Sequence, residues 1–296
     1  GVKLNVTGGE GKDRSSLDLP GVQQQLLEAL CATGKPVVLV LYGPGVFALP
    51  WAAEHTAAMV QAFMPGAEAG RVVADVLDGT VNPGGQLTFT IPHHIGQIPL
   101  VYNHRMGSGY NPARDASANM IFSGGYVDNT DRPLFPFGHG LSYTTFEVED
   151  FHLSADTLPT DGAIQAHCRI TNTGSRPGDQ VLQLYYPFSG AHVIRPCMQL
   201  VGFVRVSLAP GESKQVAFTL QAAQLGYYNE EMAFVVEPGP AELSLGTSSA
   251  DLCGTRAFQI TGAPVDLLGR RSYACEVSVQ CPPRRCKKAS SVLPNF

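Results

Sequence analysis

The chain has 296 residues, 44% of them hydrophobic and 15% charged, with a formal net charge of −5, and its mean hydropathy is +0.01. This is length and apolar content enough for two soluble globular domains, each with its own core. Charges of both signs are interspersed, and no basic stripe interleaves with aromatics before the last residues, which argues against nucleic acid as a partner. No run of about 18 apolar residues marks a membrane span, so no membrane partner is expected.

Residues Gly1–Gly9 lack the basic start and apolar run of a signal peptide, and no initiator Met precedes Gly1. The chain therefore reads as a fragment or processed product, whose start says nothing about secretion. Seven cysteines (Cys31, Cys168, Cys197, Cys253, Cys275, Cys281, Cys286) are scattered. The odd count argues against a complete disulfide framework and points to a reducing compartment. No paired C-x2-C spacing suggests zinc.

Val2–Val6 alternates like a short strand before the Gly8-Gly9 turn. A helix is predicted from Pro20 to Thr33: Pro20 suits the first turn, Val22, Leu26 and Leu30 recur at four-residue spacing, and Gly34 supplies the stop. Pro36–Tyr42 is continuously apolar, as in a strand covered on both faces of a mainly parallel sheet. Helical periodicity returns at Ala52–Ala62 and Ala69–Leu77, and Gln86–Ile91, closed by Pro92, is expected to add a further strand. Strand alternating with helix predicts an α/β domain.

From 99 to 136 the periodicity fades into Gly, Asn, Tyr and Asp, the composition of a binding loop or linker. Tyr102, Tyr110, Phe122 and Tyr126 lie there; each could stack on a ligand or simply pack in the core. After Phe146 only strands are predicted: Phe151–Leu153, Ala163–Thr171, Gln180–Tyr186, Leu200–Ser207, Lys214–Leu220, Ala233–Val236 and Ala241–Leu245. Turns such as Asn172-Thr-Gly174 and Pro210-Gly211 separate them, which is the pattern of an immunoglobulin-like sandwich. Arg270–Val279 resembles a closing strand, and the Cys/Pro/Arg-rich residues 281–296 are expected to be disordered.

The strongest local candidate for chemistry is Glu10, within Gly9-Glu-Gly-Lys-Asp-Arg14, between the first strand and the first helix. A carboxylate flanked by glycines at a strand end lies where α/β sheets take ligands, and it could act as a mobile general acid. The plainer reading is a solvated loop residue, with Asp13, Ser15, Ser16 and Asp18 organising the turn and capping the helix. Adjacent His93 and His94 on a loop point different ways and make a poor metal pair. His139 reads as a turn residue packed on Phe135, Phe137 and Tyr143. Asp75, Asp78, Asp128 and Asp131 read as helix-end or loop residues.

Glu10-Gly-x-Asp-Arg-x-x-Leu-x-Leu-Pro-Gly21, then Gly34-Lys-Pro-Val-Val-Leu-Val-Leu41, resembles the second domain of glycoside hydrolase family 3, the β-glucosidases and β-xylosidases. The resemblance continues through Pro65-Gly-Ala-Glu-Ala-Gly70, Asn82-Pro-Gly-Gly-Gln-Leu87, Tyr102-Asn-His104 and Pro136-Phe-Gly-His-Gly-Leu-Ser-Tyr-Thr-Thr-Phe146. It then enters the family's appended fibronectin type III-like sandwich at Thr171-Asn-Thr-Gly174, Arg195-Pro196 and Leu200-Val-Gly-Phe203.

The resemblance implies a partial α/β domain over 1–146, with its long loop at 99–136, a sandwich over 147–280 and a tail over 281–296. It implies a retaining exo-β-glycosidase acting on β-linked glucosides or xylosides, with Glu10 as the acid/base and no metal or organic cofactor. The family's nucleophile is an aspartate on an N-terminal (β/α)8 barrel of about 250 residues. That barrel is the expected partner domain, and without it residues 1–296 are expected to be inactive. The rival expectation is a non-catalytic carbohydrate-binding or partner-docking module.

Overall fold

The computed structural model describes residues 14–105, 126, 128–188, 193–267 and 272–281. In chain order these hold helix α1 (Gln23–Cys31), strand β1 (Val38–Tyr42), helix α2 (Pro50–His55), strand β2 (Ala58–Phe63) and helix α3 (Ala69–Leu77). After a 3-10 turn at Ile95–Gln97, the remaining long elements are strands.

β1 and β2 pair in parallel, from Val38 opposite Ala58 to Tyr42 opposite Phe63, with a bulge at the last pair. Parallel partners need a crossover, and α2 provides it, with Pro50 at its first turn where a missing N–H costs nothing. The predicted helix over Ala52–Ala62 is thereby corrected. Helix ends at His55, Thr56 turns extended, and the apolar run Ala58–Phe63 satisfies its backbone against β1 instead. Leu41, Phe47, Leu49, Ala52 and Leu27 of α1 form a small core here.

Three other expectations change. Helix α1 is shorter than Pro20–Thr33, and it buries Leu27 while Val22 and Leu26 are 70% and 59% exposed. The four-residue stripe thus lies on the outer face. Gln86–Ile91 is not a strand. Leu87 exchanges hydrogen bonds with His139 and Gly138, and Ile91 bridges Phe135, so this segment is tied to the 133–140 loop rather than to the sheet. Finally, a mainly parallel sheet is not what forms: among the described residues the parallel pairings are β1 with β2 and one short edge pair in the sandwich, and the other pairings are antiparallel. The predicted strand Val2–Val6 and the tail 282–296 lie outside the described residues.

The strand-rich part starts with β3 (Phe146–Leu153), β4 (Thr157–Pro159), β5 (Ala163–Asn172), β6 (Gly178–Pro187), β7 (Met198–Leu208) and β8 (Ser213–Gln221). It continues with β9 (Tyr227–Tyr228), β10 (Phe234–Val236), β11 (Gly239–Gly246), β12 (Leu252–Thr261), β13 (Val265–Asp266) and β14 (Glu276–Gln280). The order β4-β12-β11-β6-β7 forms one sheet and β14-β8-β5-β3 the other. The inward residues of the two sheets make one core, including Ile164, Ile170, Leu182, Leu184, Phe218 and Leu243. Each such side chain contributes roughly 1.5–3 kcal/mol by leaving water. β5 shows the cause in its sequence, since its even-numbered residues from Ile164 to Asn172 are buried in alternation.

Asn172 is a polar exception in this core and is fully satisfied. Its Nδ2 donates to the carbonyls of Arg176 (2.8 Å) and Leu208 (3.1 Å), and its Oδ1 accepts from Thr144 Oγ1 (2.7 Å) and Gly174 N–H (3.0 Å). It thereby ties the Ser142–Thr145 crossing segment to the sandwich.

Candidate functional site

Glu10 and Asp13 lie outside the described residues, and the geometry of the site begins at Arg14. Arg14 donates to the Asp18 carbonyl (2.5 Å), and its guanidinium sits 5.0 Å over the Phe47 ring. Ser16 Oγ donates to Asp18 Oδ2 (2.5 Å) and accepts the Asp18 N–H (3.0 Å). These contacts organise the turn. They do not cap α1, whose N-terminus receives no side-chain bond.

Ala48 N–H donates to the Leu17 carbonyl (3.0 Å), and Gly43 N–H to the Phe63 carbonyl (2.9 Å). The segment after Glu10 is therefore pinned to the loop that leaves β1, at the carboxyl ends of both parallel strands. Open α/β sheets receive ligands at that end. Gly43, at φ +154, lets the chain turn with the Phe47 ring against it.

The other expected residues are placed plainly. His94 Nδ1 accepts from Gly96 N–H (3.0 Å). Buried Gln97 takes the N–H of His93 (2.6 Å) on its Oε1 and donates Nε2 to the carbonyls of Thr130 (2.6 Å) and Arg132 (3.2 Å). The two histidines thus frame a turn. His139 stacks on Phe135, ring centroids 5.1 Å apart, and its burial lowers its pKa. Asp78 caps a loop through Thr80 N–H (2.8 Å), a bond that also lowers its pKa. Among the described residues no group of three or more His, Cys, Asp or Glu side chains could hold a metal ion.

Tyr102 is not free to stack on a sugar. Its ring stacks on Phe137 (4.3 Å) and meets Tyr185 edge-on (5.9 Å), and its hydroxyl accepts the Leu200 N–H (3.3 Å). Tyr126 donates to the Gly96 carbonyl (3.0 Å); Tyr110 and Phe122 lie outside the described residues. Tyr102 also lines a cleft of about 90 Å³ with Thr90, Val101, Pro133, Cys197 and Met198, where the two halves of the chain meet.

Sequence reasoning missed that junction. Buried Gln183 of β6 donates Nε2 to Gln86 Oε1 (2.9 Å) and to the Thr247 carbonyl (2.9 Å), and its Oε1 accepts from the Tyr185 hydroxyl. Asn82 donates to the Pro177 carbonyl (3.0 Å) and accepts from Ser142 Oγ (3.0 Å). Arg205 donates to the Gly84 carbonyl (2.9 Å). A glutamine amid the apolar run Val181-Leu-Gln-Leu-Tyr185 was the available signal.

Comparison with known proteins assigns both halves to a family. The pattern of the glycosyl hydrolase family 3 C-terminal domain matches residues 2–143, and that of the fibronectin type III-like domain matches residues 180–249. A periplasmic β-glucosidase of Salmonella typhimurium is 40% identical over 242 residues, covering 81% of this chain and 31% of that protein. A β-xylosidase of Formosa agariphila is 41% identical over 246 residues, covering 82% and 32%. A crystal structure of a β-glucosidase from Listeria innocua in complex with glucose superposes with a TM-score of 0.81 at 33% identity, covering 88% of this chain and 36% of that one. The chain thus spans about a third of the length of these relatives. It belongs to glycoside hydrolase family 3, carrying that family's C-terminal domain and a fibronectin type III-like domain.

Proposed function

We propose that this chain is the C-terminal part of a retaining exo-β-glycosidase that releases terminal glucose or xylose from β-linked glycosides, with Glu10 as its acid/base. The observation that carries this reading is the pinning of Arg14–Leu19, just after Glu10, to the carboxyl ends of β1 and β2 through Leu17 and Ala48. The resemblance of this segment to the family motif and the names of the relatives support it.

In such a double displacement, one carboxylate attacks the anomeric carbon while a carboxylic acid about 5–5.5 Å away protonates the departing oxygen. Water then attacks the glycosyl-enzyme with the same glutamate acting as base, and the sugar leaves with retained configuration. The two carboxyl groups and water supply the chemistry, so the mechanism calls for no metal or organic cofactor. The acid must keep its proton near the working pH. Arg14 would oppose that if it paired with Glu10; its Nη2 donates to the Asp18 carbonyl and its guanidinium lies over the Phe47 ring.

The attacking aspartate belongs, in this reading, to a barrel domain outside residues 1–296. Assay of residues 1–296 alone and of the full-length protein on aryl β-glucosides and β-xylosides tests it. Turnover by the full-length protein only is the expected result. Equal turnover by residues 1–296 alone would overturn the placement of the attacker.

A further inference from the structure

Strands β3 and β5 bring two histidines together on the outer face of the sandwich. Glu149 stands opposite Arg169 and His152 opposite His167, so Asp150 and Phe151 of β3 face a single residue of β5. This is a β-bulge, with Asp150 at φ +55. Without the extra residue Phe151 would stand opposite His167. The bulge instead turns Phe151 into the core, where it is 6% exposed, and His152 outward beside His167.

The two imidazoles stack, with ring centroids 5.1 Å apart and planes 16° from parallel. His152 Nδ1 lies 2.8 Å from the Asp150 carbonyl. A carbonyl can only accept, so Nδ1 carries the proton and the lone pair is on Nε2. A backbone carbonyl on one ring nitrogen is a partner that commonly orients a metal-ligating histidine. One row away, Arg169 Nη2 meets Glu149 Oε2 at 3.0 Å and Asp150 Oδ2 at 2.9 Å. Two carboxylates on one guanidinium leave an excess negative charge beside the histidines, which favours a cation there.

We propose that His152 and His167 form a two-histidine site for a divalent transition-metal ion of the nickel, copper and zinc class, which clips the bulged strand β3 to β5. β3 is the edge of its sheet, and the bulge interrupts its ladder at this point, so a second tie between the two strands stabilises the sandwich where its backbone pairing is weakest. Imidazole suits these ions, whereas calcium and magnesium call for oxygen ligands. Water completes the coordination. The nearly parallel rings turn about their Cβ–Cγ bonds, a soft torsion, until both lone pairs meet the ion at about 2.0–2.1 Å. His152 is exposed and His167 half-buried, on a face where such turning is open to them. The site stands apart from the glycosidase reading and does not depend on it.

The test is titration calorimetry of Ni²⁺ into the metal-free 296-residue chain, its exposed thiols blocked with iodoacetamide, for wild type, His152→Gln, His167→Gln and His55→Gln. Thermal unfolding with and without Ni²⁺ accompanies it, and the scans without metal check that each variant folds. His55 is the control. Its Nδ1 also lies 2.8 Å from a backbone carbonyl, that of Trp51, and its ring is stacked, but on the Trp51 indole rather than on a second imidazole. Losing an outer-shell partner typically weakens a metal site about 10- to 100-fold. Losing a ligand should do at least as much, so His152→Gln and His167→Gln should each weaken the tightest Ni²⁺ site by at least about tenfold. Both should also abolish the rise in Tm that Ni²⁺ gives the wild type, and His55→Gln should retain affinity and rise alike. Wild-type affinity in either His152→Gln or His167→Gln, or an equal loss in His55→Gln, overturns the proposal. So does a wild-type Tm that Ni²⁺ leaves unchanged.

Discussion

A β-carbon on Gly138 would overlap the carboxamide of Gln183. The two residues lie 45 apart in sequence and on either side of the junction, so the loop at 133–140 can meet strand β6 this closely only where the loop has no side chain. Gly138 also has φ +81, the left-handed region that other residues adopt at a cost.

Gly138→Ala therefore combines backbone strain with a collision against a hydrogen-bond hub, and should cost about 2–4 kcal/mol in urea unfolding. Gly211 has φ +72 but nothing within 4 Å of its would-be β-carbon. Gly211→Ala should cost only about 1 kcal/mol. Equal costs at the two positions would mean that the junction yields to accommodate a methyl group.

Asn172→Ala leaves the Thr144 hydroxyl and three backbone groups without this partner, the contacts to Thr144 and Leu208 being buried. We expect a loss of about 2–3 kcal/mol, the desolvation cost of unpaired polar groups. Phe218→Ala, at a position with no exposure, should cost about 3–5 kcal/mol through the cavity alone. Chemical unfolding of the two variants separates the polar tie from the apolar core.

Burial lowers the pKa of His139, and burial together with the neighbouring His152 lowers that of His167, both from an ordinary value of 6.5. The unfolded chain then takes up these protons first. Stability from these groups is full above about pH 6.5 and is lost as pH falls through their folded pKa values. The urea midpoint should decline as pH falls below about 6.5, and the double variant His139→Gln/His167→Gln should flatten that decline whatever it does to the absolute midpoint. An unaltered slope would contradict the assignment.

The sandwich was the more legible half of the sequence. Strict alternation in β5 and turns such as Pro210-Gly211 declare strands directly, and the predicted runs fall inside β3, β5, β6, β7, β8 and β11. β12 escaped because Gly254 and Arg256 interrupt an apolar pattern that becomes regular only at Phe258 and Ile260. In the α/β part, local pattern misled where tertiary pairing decided. Ala58–Phe63 has apolar residues at helical spacing, but the free edge of β1 makes it a strand. Gln86–Ile91 has the composition of a strand, but its hydrogen bonds go to a loop about 50 residues on. For the site, Glu10 was legible only through its motif, and the junction residues Gln183 and Tyr102 owe their roles to partners far away in the chain.

Glu10 as proton donor and acceptor is the claim on which the proposed chemistry depends most. The decisive measurement is kcat/KM for wild-type and Glu10→Gln full-length protein across β-glycosides of graded leaving-group basicity. With alkyl or sugar leaving groups, whose departing oxygen needs a proton, the variant should fall about 10²–10⁴-fold. With dinitrophenyl leaving groups, which depart unprotonated, it should stay near the wild-type value. A uniform drop across the series, or none, would contradict the assignment.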